Sequence, residues 1–341
     1  MSFFDYFNQD LAIDLGTANT LIIYKNEVVA DEPSIVAINR DTKEVVAIGQ
    51  RAMLMHGKTH DNIQTLRPLK DGVIADFKSA EMMLRGMIDM VNRDRKGWFT
   101  PHLRTVICIP SGITEVEKRA VKDSAERSGS REVYLIPEPM AAAIGIGIDV
   151  TEPMGNMVID IGGGTTEIAV IALAGIVCDQ SIRVAGDEFN EDIMEFMRRE
   201  HNLLIGERTA ERVKIECGAA LPELDDPLDD ISVNGRDLMT GIPKQIKVTY
   251  SEIAHALDKS ISKIEEAALK ALEITPPELS SDIYQTGLYL TGGGALIRGL
   301  DKRLSKKTKL PVYVAEDPLR AVVRGTAYAM QHLNKFKHIM Q

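Results

Sequence analysis

Hydrophobic residues open this chain in short runs broken by polar or Gly-containing turns. LAIDLG starts at Leu11, TLIIYKN at Thr20, EVVA at Glu27, SIVAIN at Ser34 and EVVAIG at Glu44, which predicts a strand-rich beginning. The period then lengthens. From Ser79 to Arg93, apolar residues fall at three- and four-residue steps, the spacing of an amphipathic helix. Arg104 to Pro110 reads as a buried strand and Glu115 to Arg127 as a charged amphipathic helix. VYLIP, from Val133, leads into EPMAAAIGIGI, a small-residue helix with Pro139 in its first turn. A second strand and turn begin at Met157, and further strands follow. GDEFNEDIMEFMRREHN and ERTAERVKIECGAA predict two helices, LPELDDPLDD an acidic loop, and Ile231 to Tyr250 more strands. Ser251 to Ile274 predicts a long helix with Ser251 as its N-cap, ended by Pro276 and Pro277. TGLYLTGGGALIRGL predicts a strand, a triple-Gly turn and a helix, and a last helix runs from Leu319 to Leu333.

This order passes twice through a related strand–helix series, which predicts an α/β fold of two related halves. At 341 residues the chain is too long for one ordinary core. No flexible linker separates the halves, so they are expected to be interleaved. Apolar content of 44% and charged content of 26% are those of a globular protein. The formal net charge of -10 argues against nucleic acid as a partner, and against simple attraction to an anionic membrane. Cys108, Cys178 and Cys217 are far apart, as expected of free thiols in a reducing compartment. The histidines lack metal-ligand spacing. No apolar run is long enough to span a bilayer, and MSFFDYFNQD lacks the features of a secretory signal.

Candidate chemistry lies at two strand ends that nearly repeat each other, LAIDLGTANT and MVIDIGGGTTE. In each, an apolar strand ends in Asp and a Gly-containing turn follows. Glycines there let backbone N–H groups approach an anion, and the Asp can hold a hydrated cation. The ligand implied is a polyphosphate with a divalent metal, gripped from two sides. In the first loop, Asp14 and Gly16 precede Thr17, Ala18 and Asn19. The alternative is a hairpin turn, and no P-loop signature occurs. In the second, Asp160 precedes Gly162, Gly163, Gly164 and Thr165. Three successive glycines cost conformational entropy, which calls for a reason. A third glycine run, Gly292, Gly293 and Gly294 before Ala295, could bring backbone to a nucleotide or merely turn the chain. Glu138, between two prolines at a helix start, could order a water that attacks a γ-phosphate or simply complement the helix dipole.

Taken in order, DLGT, PSGITEVEKRAV, EPMAAAIG, DIGGGTTE, TGGGALIRGLD and EDPLRAVVRGTA resemble the motifs of the actin–hexokinase–DnaK ATPase superfamily. Within it, RPLKDGVIADF, SIRVAGDEFN and TPPELSSDI make the resemblance closest to the bacterial actins of the MreB family, over nearly the whole chain. The resemblance implies an actin-like fold, a duplicated ribonuclease H-like design of two lobes around ATP and Mg²⁺. It implies subdomain IA from residues 1–32, 68–143 and 318–341, and IB from 33–67. It likewise implies IIA from 144–180 and 251–317, and IIB from 181–250. Asp14 and Asp160 would hold Mg²⁺ through water, and Glu138 and Thr165 would order the attacking water. Glu211, Arg212, Val213 and Lys214 would meet the adenosine together with Gly292 to Ala295. Slow ATP hydrolysis, assembly into paired protofilaments, and work on the cytoplasmic face of the inner membrane with the cell-wall elongation machinery follow from the same resemblance, and so does rod cell shape.

Members of that family reach the membrane through an amphipathic N-terminal helix, an apolar loop, or both. Phe3, Phe4 and Phe7 share a helical face here, but the segment carries Asp5 and Asp10 and no Lys or Arg. Trp98 and Phe99 lie in a turn where the family's insertion loop falls, so they are expected to face lipid; the alternative buries them in the core. Three rivals share the superfamily. A small-molecule kinase would need a second pocket with a carboxylate base, a chaperone ATPase a peptide-binding domain beyond the last motif, and a division-type actin a C-terminal membrane helix; no motif for any of these is evident.

Overall fold

The computed structural model describes residues 8–92 and 102–340, so Phe3, Phe4, Phe7, Trp98 and Phe99 lie outside the described residues. The chain divides into two compact units. The first is Met1–Pro153 with Ile171–Ile176 and Leu319–Gln341; the second is Met154–Val170 with Val177–Pro318. The chain therefore leaves and re-enters each unit, as the lack of a linker predicts. The four subdomains implied by the resemblance are a finer division than these two.

The first unit is built on strands β1 (Asn8–Leu15), β2 (Asn19–Tyr24), β3 (Glu27–Pro33), β4 (His102–Ile109) and β5 (Glu132–Pro137), in the spatial order β5-β4-β1-β2-β3. The strands β1, β4 and β5 run parallel, while β2 and β3 return antiparallel. Alternation along β1 sends Leu11, Ile13 and Leu15 into one layer with Met83, Leu84 and Met87 of the helix Phe77–Asn92. Ala12 faces the other way, onto Val323 and Ala327 of the helix Ala321–Gln331. Each large aliphatic side chain buried in this way stabilises the fold by roughly 1.5–3 kcal/mol. That second helix crosses Glu138–Gly145 so closely that a Cβ on Gly145 would lie 1.8 Å from the Ala321 carbonyl oxygen. The small residues of EPMAAAIG are thus packing requirements.

The second unit, with Ile171–Ile176 at the tip of its first hairpin excepted, repeats the plan with β6 (Asn156–Ile161), β7 (Thr166–Ala172), β8 (Gly175–Ile182), β9 (Leu288–Thr291) and β10 (Val312–Val314), ordered β8-β7-β6-β9-β10. Setting β6, β7 and β8 against β1, β2 and β3, and β9 and β10 against β4 and β5, makes the two orders the same. Its core joins the sheet to the helices Gly186–His201, Glu207–Cys217 and Tyr250–Glu273 through Ile159, Phe189, Val213 and Ile261. Each unit also carries a three-stranded antiparallel sheet. One is formed by Val36–Asn39, Val45–Ile48 and Ile63–Leu66, the other by Leu203–Leu204, Ile231–Asp237 and Pro243–Val248.

Four elements differ from the sequence expectation. The long helix is capped by Thr249, not Ser251: Thr249 Oγ1 accepts from the Glu252 amide, and Glu252 accepts from the Thr249 amide in return. The helix ends at Glu273, and Pro277 opens a further helix, Pro277–Thr286, instead of merely closing the previous one. The triple-Gly turn leads into a short 3-10 turn, Gly293–Leu296, and the α-helix starts only at Leu300. The last predicted helix is split into Pro318–Arg320, Ala321–Gln331 and Leu333–Phe336.

Candidate functional site

In the first unit, Asp14 stands near the end of β1, directly opposite Cys108 on the parallel strand β4. The Cys108 thiol donates to Asp14 Oδ1 at 3.0 Å, and its sulfur takes a backbone hydrogen bond from Leu15. Glu138 joins them from the start of its helix, and one ligand atom from each of the three residues lies within 4.8 Å of the others. Burial pushes the Asp14 carboxyl up to about 6, with the thiol hydrogen bond pulling the other way. Burial likewise raises the Cys108 thiol well above its ordinary range, and the charges of Asp14 and Glu138 add to the rise. Cys108 is therefore a neutral hydrogen-bond donor set beside two acids.

The turn after β1 is braced from below. Ser34 Oγ donates to the Gly16 carbonyl at 2.6 Å and pairs with Thr20 Oγ1, while the Ser34 amide donates to Ala18. A Cβ at Gly16 would come 2.6 Å from the Asn19 carbonyl oxygen, so close backbone approach requires the glycine. Thr17 Oγ1 accepts from the Gly72 amide at 3.1 Å, which leaves its own proton to donate elsewhere. Ala18 and Asn19 complete the turn, with Asn19 exposed at the start of β2.

In the second unit, Asp160 stands opposite Thr291 on the parallel strand β9, and the Thr291 hydroxyl donates to Asp160 Oδ1 at 2.9 Å. The glycine turn is fastened to a helix: the Gly186 amide donates to the Gly162 carbonyl at 3.1 Å, and the Asp187 amide to Gly163 at 2.8 Å. With those carbonyls occupied, the amides of Gly163 and Gly164 make no hydrogen bond among the described residues. Thr165 is buried, and its carbonyl closes the turn onto the Gly162 amide at 2.9 Å.

The adenosine candidates are tied to this turn. Lys214 Nζ donates to the Gly186 carbonyl at 2.9 Å and to Glu211 Oε2 at 2.7 Å, and Asn190 Nδ2 also reaches Glu211 at 2.7 Å. Lys214 is thus linked to Gly162 through Gly186, and Glu211 through Lys214. Their neighbours in sequence do not join them. Val213 is fully buried in the apolar core, and Arg212 is held by Glu216 and the Ser232 carbonyl. Gly292 and Gly294 are there for packing. At Gly292, φ is 77°, and a Cβ would lie 2.3 Å from the Ile161 carbonyl oxygen and 2.5 Å from Asp160 Oδ1; at Gly294 it would lie 2.2 Å from the Ile161 side chain. Gly293 is exposed, and buried Ala295 follows it. The Arg298 amide donates to Gly218 at 3.2 Å and the Ala220 amide to Arg298 at 2.8 Å, joining this turn to the end of the Glu207–Cys217 helix.

The sequence alone did not single out Cys108, Ser34 or Gly186 as site residues. Cys108 was readable only as a buried strand residue. Aligning TVICIP with LYLTGG as duplicated strands would have set Cys108 against Thr291.

A family model described as MreB/Mbl protein matches residues 8–338. The cell shape-determining protein MreB of Escherichia coli (strain K12) is 49% identical over 333 residues, covering 96% of this chain and 95% of that relative. The cell shape-determining protein Mbl of Bacillus subtilis (strain 168) is 48% identical over 330 residues, covering 96% and 98%. Crystal structures of MreB5 of Spiroplasma citri, bound to ADP and to AMPPNP, match with a TM-score of 0.90 at 38% identity, over 97% of this chain and 98% of theirs. The MamK double helical filament matches with a TM-score of 0.79 at 21% identity, over 95% and 99%, a likeness of fold alone. The fold is therefore actin-like α/β.

Proposed function

The chain belongs to the MreB/Mbl family, and we propose that it is an ATP-dependent, filament-forming cytoskeletal protein that helps determine cell shape. The observation that carries this reading is the pair of matched strand ends. Asp14 is gathered with Glu138 in one unit, and Asp160 with a fastened glycine turn in the other. We assign the phosphates to the amides and hydroxyls of Thr17 to Asn19 and Gly162 to Thr165, and the adenosine to Glu211, Lys214 and the Gly292 to Ala295 turn.

The donor set suits Mg²⁺. We assign the Mg²⁺ to the hard carboxylate oxygens of Asp14 and Asp160, through water because Mg²⁺ keeps several of its waters, and keep Glu138, within 4.8 Å of Asp14, for the attacking water. The Cys108 sulfur is a soft donor that stays protonated, its proton engaged in the hydrogen bond to Asp14 Oδ1. When bound, Mg²⁺ would neutralise charge on the β- and γ-phosphate oxygens. Thr17 donates its free proton to a phosphate oxygen. The amides of Gly163 and Gly164 do the same in the second loop. Glu138, fixed between Pro137 and Pro139, accepts a proton from the attacking water, and the Thr165 hydroxyl helps to hold that water. Hydrolysis is slow and accompanies assembly.

The finer reading is that filaments are paired and lie on the inner membrane with Trp98 and Phe99 in lipid, where they direct cell-wall synthesis with membrane proteins of the elongation machinery. Four subdomains with the boundaries given above belong to the same reading. The test is sedimentation with Mg²⁺-ATP, with and without liposomes, for the wild type, Glu138→Ala, and Trp98→Ala combined with Phe99→Ala. Glu138→Ala should bind ATP and pellet, while releasing phosphate about 100-fold more slowly. The double variant should pellet alone but leave the liposomes. A wild type that stays monomeric under every condition would favour a small-molecule kinase on the same fold.

A further inference from the structure

The two sheets place a hydrogen-bond donor at the same point, and the donors differ. In the second unit, Asp160 receives its hydrogen bond from Thr291, its register partner on the neighbouring parallel strand. In the first, Asp14 receives one from Cys108, its own register partner, at nearly the same distance: 3.0 Å against 2.9 Å. Both donors are buried. Asp14 makes no other side-chain hydrogen bond among the described residues. The thiol is therefore what fixes the rotation of the carboxylate.

We propose that Cys108 is a positioning residue for the hydrated cation: by holding Asp14 Oδ1, its thiol turns the second carboxylate oxygen toward the metal's water shell. This rests on the nucleotide reading above and names a residue that acts through Asp14 without touching the ligand. The chemistry explains the choice of donor. Asp14 and Glu138 stand in one cluster with Cys108. A Lys or Arg there would orient Asp14 but would also neutralise it, and so compete with a divalent cation. A thiol or hydroxyl orients without adding charge. The sulfur is itself oriented, because the Leu15 backbone bonds to it.

The duplication supplies the test. Thr is the residue the second unit uses at this position, and Val has nearly the same shape without a donor; both are β-branched and suit a strand. Calorimetry of ATP binding, with Mg²⁺ and with EDTA, compares the wild type, Cys108→Thr and Cys108→Val. Cys108→Thr should stay within about twofold of the wild type, whereas Cys108→Val should bind Mg²⁺-ATP about five- to tenfold more weakly. With EDTA all three should bind alike. The Mg²⁺ concentration that half-saturates binding should rise in the Val variant and return in the Thr variant. Should either branched variant melt below the assay temperature, Cys108→Ser and Cys108→Ala give the same comparison. Equal binding by the donor and donor-less variants would overturn the proposal, as would a loss in Val that is the same with EDTA. A wild type that binds no Mg²⁺-ATP would instead overturn the nucleotide reading, and this proposal with it.

Discussion

Asp14 and Asp160 occupy the same place in two sheets of the same strand order, yet their surroundings have parted. Around Asp14, a thiol and a second carboxylate are packed together, and the carboxyl is pushed up to about 6. Around Asp160, a Thr hydroxyl holds the carboxylate, and the first residue after β9, Gly292, lets the chain pass within a Cβ's width of it. The first arrangement concentrates acid groups, which suits a cation and the activation of water. The second fastens backbone: the glycine turn is bonded to Gly186, and Gly186 to Lys214. Duplication has kept the register that sets a carboxylate at a strand end. What changed is the residue opposite and the turn that follows.

This difference predicts unequal losses. Asp160→Ala strips the acceptor from the buried Thr291 hydroxyl, and with it the contact proposed for the ligand. Hydrogen bonds to charged groups are worth about 1.5–3 kcal/mol, so Mg²⁺-ATP affinity should fall on the order of 100-fold. Asp14→Ala would also lose its proposed contact, but it relieves the crowding of Asp14 against Glu138. Its loss should be about tenfold. Calorimetry on the two variants decides the matter. Equal losses, or a larger one at Asp14, would break the comparison.

Much of this was legible in the sequence. The twin Asp–Gly motifs, the alternation of β1 and the Glu115–Arg127 helix follow directly from apolar spacing, because burial on one face imposes its own period. Glycine was harder to read. The runs at Gly162 and Gly292 look alike on paper, yet neither Gly162, Gly163 nor Gly164 takes a positive φ, while Gly292 does. One run is fastened to a neighbouring helix, where a Cβ on Gly186 would lie 3.2 Å from the Gly162 carbonyl oxygen, and the other meets the end of β6. Both reasons are tertiary and leave no local mark. The Cys108 contact was hidden for the same reason, since it depends on which strands become parallel neighbours. The misplaced N-cap was legible, because Thr249 and Glu252 have the spacing of a capping box.

Gly292→Ala and Gly16→Ala sharpen the contrast on the backbone side. At Gly292 a methyl meets both the Ile161 carbonyl oxygen and Asp160 Oδ1, at a φ of 77° that disfavours any side chain. The variant should lose about 2–3 kcal/mol of stability along with Mg²⁺-ATP affinity. At Gly16 the clash is with one carbonyl oxygen, 2.6 Å away, and the backbone is not left-handed. That cost should be about 1–2 kcal/mol, relieved by a small shift of the turn. Denaturant melts of both proteins measure the pair. A Gly16→Ala variant less stable than Gly292→Ala would mean that the first turn is the more rigid of the two.

The smallest effect is one of pH, and it belongs to Asp14. Because burial lifts this carboxyl to about 6 from an ordinary 3.8, the folded protein without ligand holds a proton that the unfolded chain has already released between those values. Stability of the ligand-free protein should therefore decline as pH rises from about 4 to 6, the slope following the extra proton on the folded side. Binding of Mg²⁺-ATP runs the other way, since a neutral Asp14 cannot face a cation. A group titrating near 6 should leave affinity about fourfold weaker at pH 5.5 than at its plateau, with little change above pH 7. Melting temperatures taken with and without Mg²⁺-ATP at both pH values would show the ligand-induced rise growing with pH. Asp14→Asn cannot titrate, so it should flatten that difference, whereas Asp160→Asn should weaken binding at both pH values and keep the slope. If Asp14→Asn retains the slope, the titrating group lies elsewhere, and the crowding that separates the first strand end from the second has no bearing on the ligand.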